Sequence, residues 1–204
     1  GGKVDKKQQT QEKILDAALK VFAADGFDIA ATNAIYKKAG TSKGVIFKYF
    51  PTKAALFYAV FDRELTKMVT ESMMITYSEA ENPFAKITDL IIWKIEYAQK
   101  HPEATKVLAE GIAKPPQPHD LLILSKLTQL TNLSFERFFG DISMTNIREG
   151  LSKDDVTKTI KIGIAGLQSV YVSGHPEFPF SKTAREECMR YLEIIYRGME
   201  KPHE

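Results

Sequence analysis

With 204 residues, 44% of them hydrophobic and 26% charged, the chain has an ordinary globular composition and room for one large helical domain or a small domain joined to a larger one. The net charge of +2 is unevenly spread: up to Val60 ten lysines face five acids, a net of +5, which leaves the remainder mildly acidic. A basic head suits a polyanionic partner. The single cysteine, Cys188, excludes an internal disulfide and suits a reducing compartment.

The first twelve residues are polar and lack the apolar core of a signal peptide, so a cytoplasmic protein is expected. The first predicted helix runs from about Thr10, as N-cap, to Asp25, with Gly26 at the position after its end. Ile14, Leu15, Ala18, Leu19, Val21 and Phe22 give it one wide apolar stripe. A short helix follows from about Thr32 to Ala39 and stops at Gly40, and another runs from Ser42 to near Tyr49, before Pro51. Thr52 caps a long helix carrying Leu56, Phe57, Val60, Phe61, Leu65, Met68 and Val69.

Beyond Asn82, helices are predicted near 83–100, 102–113, 119–139, 153–173 and 182–198, separated by Pro- and Gly-bearing breaks. The stretch 121–139 is interrupted by Lys126, Gln129, Asn132, Glu136 and Arg137, so no membrane span is expected there. No alternating strand pattern is present. The expected fold is all-α, with about nine helices.

Residues 32–53 carry the functional signal. Two short helices flank Gly40-Thr41, as a helix-turn-helix requires: Gly40 suits the positive φ of the turn, and Ser42 caps the second helix. Ile35, Ile46 and Phe50 have the spacing to pack inward. Thr41, Ser42, Lys43, Gly44, Val45, Phe47 and Lys48 then face outward, where a recognition helix would present its N-terminal half to base edges. Gly44 inside a helix costs about 1 kcal/mol relative to Ala, which makes sense if backbone must approach DNA closely. By spacing alone, a surface αα-hairpin remains the alternative.

The segments ILDAALKVFAADGF, ATNAIYKKAG and TSKGVIFKYFPTKAALF, spanning Ile14 to Leu56 and beyond, resemble the tetracycline-repressor (TetR) family of transcription regulators. The resemblance implies that Asn33, Lys43, Gly44, Val45 and Phe47 face bases and that Thr32, Lys48, Tyr49 and Lys53 hold phosphates, with Thr41 and Ser42 at the start of the recognition helix. The arm bearing Lys3, Lys6 and Lys7 would add backbone or minor-groove contacts. Three positions depart from the family pattern: Phe47 stands where Tyr is usual, Val45 where Thr is usual, and Tyr36 where Ala is usual. These alter the expected operator, with Phe47 suited to a thymine methyl.

The resemblance further implies a DNA-binding domain over residues 1–52 and a helical regulatory domain over 53–204, whose ligand would shift the long connecting helix. For a small, largely apolar effector the candidate lining is Phe61, Met68, Trp93, Tyr97, Phe135, Phe138 and Gln168; the same aromatic and Met stripe would equally serve as plain core. In the family the last two helices pair across a two-fold axis. Here Gly163, Gly166, Val170, Met189, Leu192, Ile195 and Tyr196 are the candidates for a homodimer that matches a palindromic operator.

No phosphate loop, HExxH, GxSxG or paired-cysteine motif occurs, and His101, His119, His175 and His203 are scattered, so neither an enzyme, a metal nor a cofactor is expected. The expected reading is a ligand-responsive repressor. An activator, or an interaction protein that keeps the fold without ligand-released repression, is the alternative.

Overall fold

A computed structural model describes residues 5–77, 82–174 and 182–202. Among these the chain forms nine α-helices: α1 (Lys6–Ile29), α2 (Thr32–Ala39), α3 (Lys43–Tyr49), α4 (Lys53–Ser72), α5 (Pro83–Lys100), α6 (Pro102–Ala113), α7 (Asp120–Phe139), α8 (Lys153–Gly174) and α9 (Lys182–Arg197). The all-α expectation holds, and no described helix is long and apolar enough to cross a membrane.

Helix α1 starts earlier than predicted. Asp5 caps it by accepting from the Lys7 amide at 3.2 Å, and Thr10 lies inside, its hydroxyl donating to the Lys6 carbonyl. Lys6 and Lys7 are therefore helical; Lys3 lies outside the described residues. Gly26, with φ 74° and ψ 166°, breaks α1 and lets a last turn continue to Ile29. Only Gly adopts that conformation readily. The cap at Thr52 forms as expected, its Oγ1 accepting from the Ala55 amide at 3.0 Å.

The contacts divide the chain into two units, one comprising residues up to Glu71 together with Ala98–Gln129, the other Ser72–Tyr97 together with Leu130 onward. In the first, Ile14, Leu15, Ala18, Val21 and Phe22 of α1 and the inward residues Ile35, Ile46, Leu56, Phe57, Val60, Phe61 and Val107 are buried, while Leu19 is half-buried. Phe22, Phe27 and Phe57 form an aromatic triangle whose Phe57 edges meet the other two rings at centroid distances of 5.1 and 5.4 Å. Gly111 gives α6 room against Phe61: a Cβ there would come within 2.5 Å of a ring carbon. Arg63 of α4 reaches Glu12 and Asp16 of α1 at 3.0 and 2.8 Å and bonds Glu64 beside it. Burial works against the Arg63 cation, but Asp16 and Glu64 outweigh it and the net shift favours the charged form.

In the second unit, Ile87, Leu90, Ile91 and Ile95 of α5 pack with Phe135, Phe138, Phe139, Val156, Ile160 and Leu192. Asp89 takes both Nε and Nη2 of Arg185 at 2.6 and 2.9 Å, a two-pronged pair joining α5 to α9. Ser152 and Asp155 exchange hydrogen bonds at the start of α8 in the manner of a capping box. The sequence did not foretell the 3-10 turn Met144–Asn146 or the bridge between Ile147 and Glu200, which ties the end of the chain back to that turn.

Candidate nucleic-acid interface

Helices α2 and α3 are short, and each is anchored by one buried residue, Ile35 and Ile46 respectively. Between them Gly40 adopts the left-handed conformation (φ 65°, ψ 34°) and its amide closes the end of α2. Ser42 begins α3 in extended backbone, and its Oγ accepts from the Val45 amide at 3.4 Å. These are the conformations a helix-turn-helix needs.

The expected outward set lies at the surface. Asn33, Ser42, Lys43, Gly44 and Lys48 are exposed, and Thr32, Thr41, Val45, Phe47 and Tyr49 are half-buried. The Lys43 ammonium rests 5.6 Å from the centroid of the Phe47 ring, so these neighbours on one helix face present a cation above an aromatic surface. A Cβ on Gly44 would meet nothing within 4 Å, so nothing inside the protein requires glycine there. No side chain caps α2, and its first amides open beside Thr32.

Lys53 differs from its neighbours. Its Nζ donates to the carbonyls of Asp28 and Ala30 at 3.3 and 3.2 Å and sits 4.7 Å from the Phe27 ring centroid. It satisfies carbonyls at the end of α1, so its charge is already engaged within the head.

Two residues with no sequence signal hold the same corner. Glu110 of α6 accepts from the Phe27 amide at 2.8 Å, and Lys114 pairs with Asp28 at 2.5 Å. A hydrogen bond to Lys114 holds the Asp28 carboxyl below its ordinary pKa and raises that of Lys114. The broken end of α1, from which the chain enters α2, is thus pinned by α4 and α6 together.

The remaining predicted residues fall as follows. Phe61 is buried and Met68 half-buried in the first unit. In the second, Tyr97, Phe135 and Phe138 are buried, Trp93 and Gln168 are half-buried, and the Trp93 and Tyr97 rings lie 5.1 Å apart. Leu192 is 1% exposed and packs inside the unit, as do the half-buried Ile195 and Tyr196. Gly163 faces Ile195, whose Cδ1 would lie 2.7 Å from an added Cβ. Met189 is half-buried beside Arg185. Gly166 and Val170 face solvent.

Residues 14–60 match the family model of the bacterial regulatory proteins, tetR family. This segment belongs to the TetR family and makes the protein a DNA-binding transcription regulator. It is similar to the HTH-type transcriptional regulator RutR of Escherichia coli K12, 31% identical over 119 residues (58% of this chain and 53% of the relative). It is also similar to the nucleoid occlusion factor SlmA of Actinobacillus pleuropneumoniae, 28% identical over 153 residues and 72% of each chain. Among solved structures, a TetR-like transcriptional regulator from Rhodococcus sp. RHA1 aligns with a TM-score of 0.60 at 21% identity, covering 93% of this chain and 94% of that one. NalD, the secondary repressor of the MexAB-OprM multidrug efflux pump in Pseudomonas aeruginosa, aligns with a TM-score of 0.60 at 16% identity, covering 98% and 100%. At these identities the structural likeness is one of fold.

Proposed function

We propose that this TetR-family protein is a cytoplasmic, ligand-responsive repressor, rather than an enzyme, that grips a palindromic operator as a homodimer and leaves it when a small, largely apolar effector binds. Residues 1–52 read DNA, and residues 53–204 dimerise and receive the effector. Asn33, Lys43, Gly44, Val45 and Phe47 meet bases. Thr32, Lys48 and Tyr49 meet phosphates, and Lys53 steadies the corner behind them.

The observation that carries the dimer is a solvent-facing apolar stripe on the last two helices. Ile162, Gly166 and Val170 recur every fourth residue on α8, with Ile162 and Val170 72% and 62% exposed. Tyr191 and Ile194 add a three-residue step on α9, where Ile194 is 53% exposed. Small and apolar residues open to water on paired helices are what an isologous interface covers. The interface so placed lies one face round from Leu192 and Gly163, which serve the fold of the protomer.

Sedimentation of the full chain tests the dimer: a homodimer is expected, with Ile162→Glu and Ile194→Glu shifting it to monomer while helical content stays native. A wild-type monomer at micromolar concentration, or no enrichment of palindromes in an operator selection, would overturn the reading. A second reading, a DNA-bound interaction protein or an activator without ligand-released repression, draws on the likeness to nucleoid occlusion factors over 72% of the chain. Operator occupancy that no bound small molecule changes would favour it.

A further inference from the structure

Lys43 and Phe47 stand one helical turn apart on α3, and the Lys43 ammonium lies 5.6 Å from the centre of the Phe47 ring. At that range the face of a ring attracts a cation. Lys43 is exposed and Phe47 half-buried, so the ring is partly seated against the protein while the ammonium over it stays open to solvent. Among the described residues no carboxylate pairs with Lys43, so its charge is not engaged inside the head as that of Lys53 is. Beside it Gly44 adds no side chain, and a Cβ there would meet nothing within 4 Å. This end of α3 is open to close approach.

The two side chains ask for different things of a base. An ammonium donates and accepts nothing. In the major groove guanine alone offers two neighbouring acceptors, N7 and O6; adenine and cytosine each present an amino donor, and thymine has a carbonyl beside a methyl. A phenyl ring has neither donor nor acceptor, and the apolar feature of those edges is the thymine C5-methyl. Spacing joins the two preferences. One turn of helix advances about 6 Å, and stacked base pairs are about 3.4 Å apart, so both side chains meet bases within about two steps of each other. The ring also limits where the lysine stem can swing, which readies the ammonium for an acceptor. Resting on the base-facing assignment of α3 above, we propose that Lys43 and Phe47 act as one reading unit, taking a guanine and a thymine methyl from neighbouring base pairs of each operator half-site.

The test starts from an operator that the full chain selects out of random duplexes. Each half-site should hold a guanine and a thymine within about two base pairs. Two single-atom probes follow in that operator: uracil for the thymine, which removes the methyl, and 7-deazaguanine for the guanine, which removes N7. Each should weaken the wild-type chain about three-fold or more. Lys43→Met should lose its response to 7-deazaguanine and keep its response to uracil. Phe47→Leu keeps an apolar side chain without the ring, so it should still prefer thymine to uracil while its 7-deazaguanine penalty falls by about half or more. Retained binding of a scrambled duplex at low salt shows that each variant head is folded. An operator without such a guanine and thymine, probe penalties that ignore Lys43→Met, or a full 7-deazaguanine penalty in Phe47→Leu would each overturn the inference. If no sequence is enriched at all, the base-facing assignment of α3 falls with it; if an operator is enriched without this pair of bases, that assignment stands and the reading unit alone is lost.

Discussion

The carboxylate of Glu110 accepts the backbone amide of Phe27 at 2.8 Å, across 83 residues of sequence. That amide follows Gly26, where α1 breaks. Removing the acceptor leaves a part-buried donor unsatisfied, which costs about 1–3 kcal/mol. Glu110→Ala should therefore lower the denaturant midpoint by that order, and Glu110→Gln, which keeps an acceptor oxygen, should lose less. Equal losses in the two variants would show that the side chain contributes charge or packing and not this bond.

Glycine 44 separates fold from function. It lies in the first turn of α3 with open space beside it, so Gly44→Ala should leave stability unchanged or raise it by up to about 1 kcal/mol. If the backbone there approaches DNA, the added methyl should weaken operator binding at the same time. Stability and affinity measured on one sample would diverge, and a variant that binds operator as tightly as wild type would remove Gly44 from the interface.

On the proposed reading the lysines of α3 divide by role. Lys48→Ala should weaken binding to all DNA and reduce the slope of log affinity against log salt by about one. Lys43→Ala should mainly relax base preference, by about 1–3 kcal/mol where the contact is bidentate. Salt titrations on a selected operator and on a scrambled duplex distinguish the two. Matching behaviour of both variants on both duplexes would contradict the assignment.

The helix-turn-helix geometry was legible because it depends on local chemistry. A turn glycine, a capping serine and an apolar spacing of three or four fix Gly40, Ser42, Ile35 and Ile46 within a few residues of one another. The helices from α5 to α7 were placed almost to the residue, since Pro83, Pro102 and Gly140 punctuate them. What escaped was non-local. Glu110 and Lys114 look like ordinary surface charges on α6 until the fold brings the end of α1 to them. Leu192 and Gly166 are equally suited to a dimer by type, and only packing shows that one is inside the protomer and the other outside.

Close packing of α6 should be sensitive to a single carbon. In Gly111→Ala the new methyl would meet two Phe61 ring carbons at 2.5 and 2.6 Å. Phe61 is fully buried, so relief requires a shift of the ring or of α6, a strain of about 1–3 kcal/mol. Thermal unfolding should show the loss. An unchanged melting temperature would mean that Phe61 has an alternative position.

The Asp28–Lys114 pair gives the pH dependence a sign. Asp28 has a folded pKa below its ordinary 3.8, so its contribution is present above that value and disappears as pH falls through the lowered one. Both partners are exposed, so the effect is small. Asp28→Asn should be slightly less stable than wild type near neutrality, and the two curves should merge at the acid end. A gap that persists below that window would point to a different cause.

Of the seven residues in α3, only Ile46 is buried. One side chain seats the helix, Val45, Phe47 and Tyr49 are half-buried, and the exposed Lys43, Gly44 and Lys48 can change with little effect on what lies behind them. On the proposed reading, operator preference at these positions is uncoupled from foldability: a library randomised at Lys43, Gly44 and Lys48 should yield mostly folded proteins, from which altered operator preferences can be selected. The same economy leaves the exposed face of α3 open to substitution with little resistance from the core.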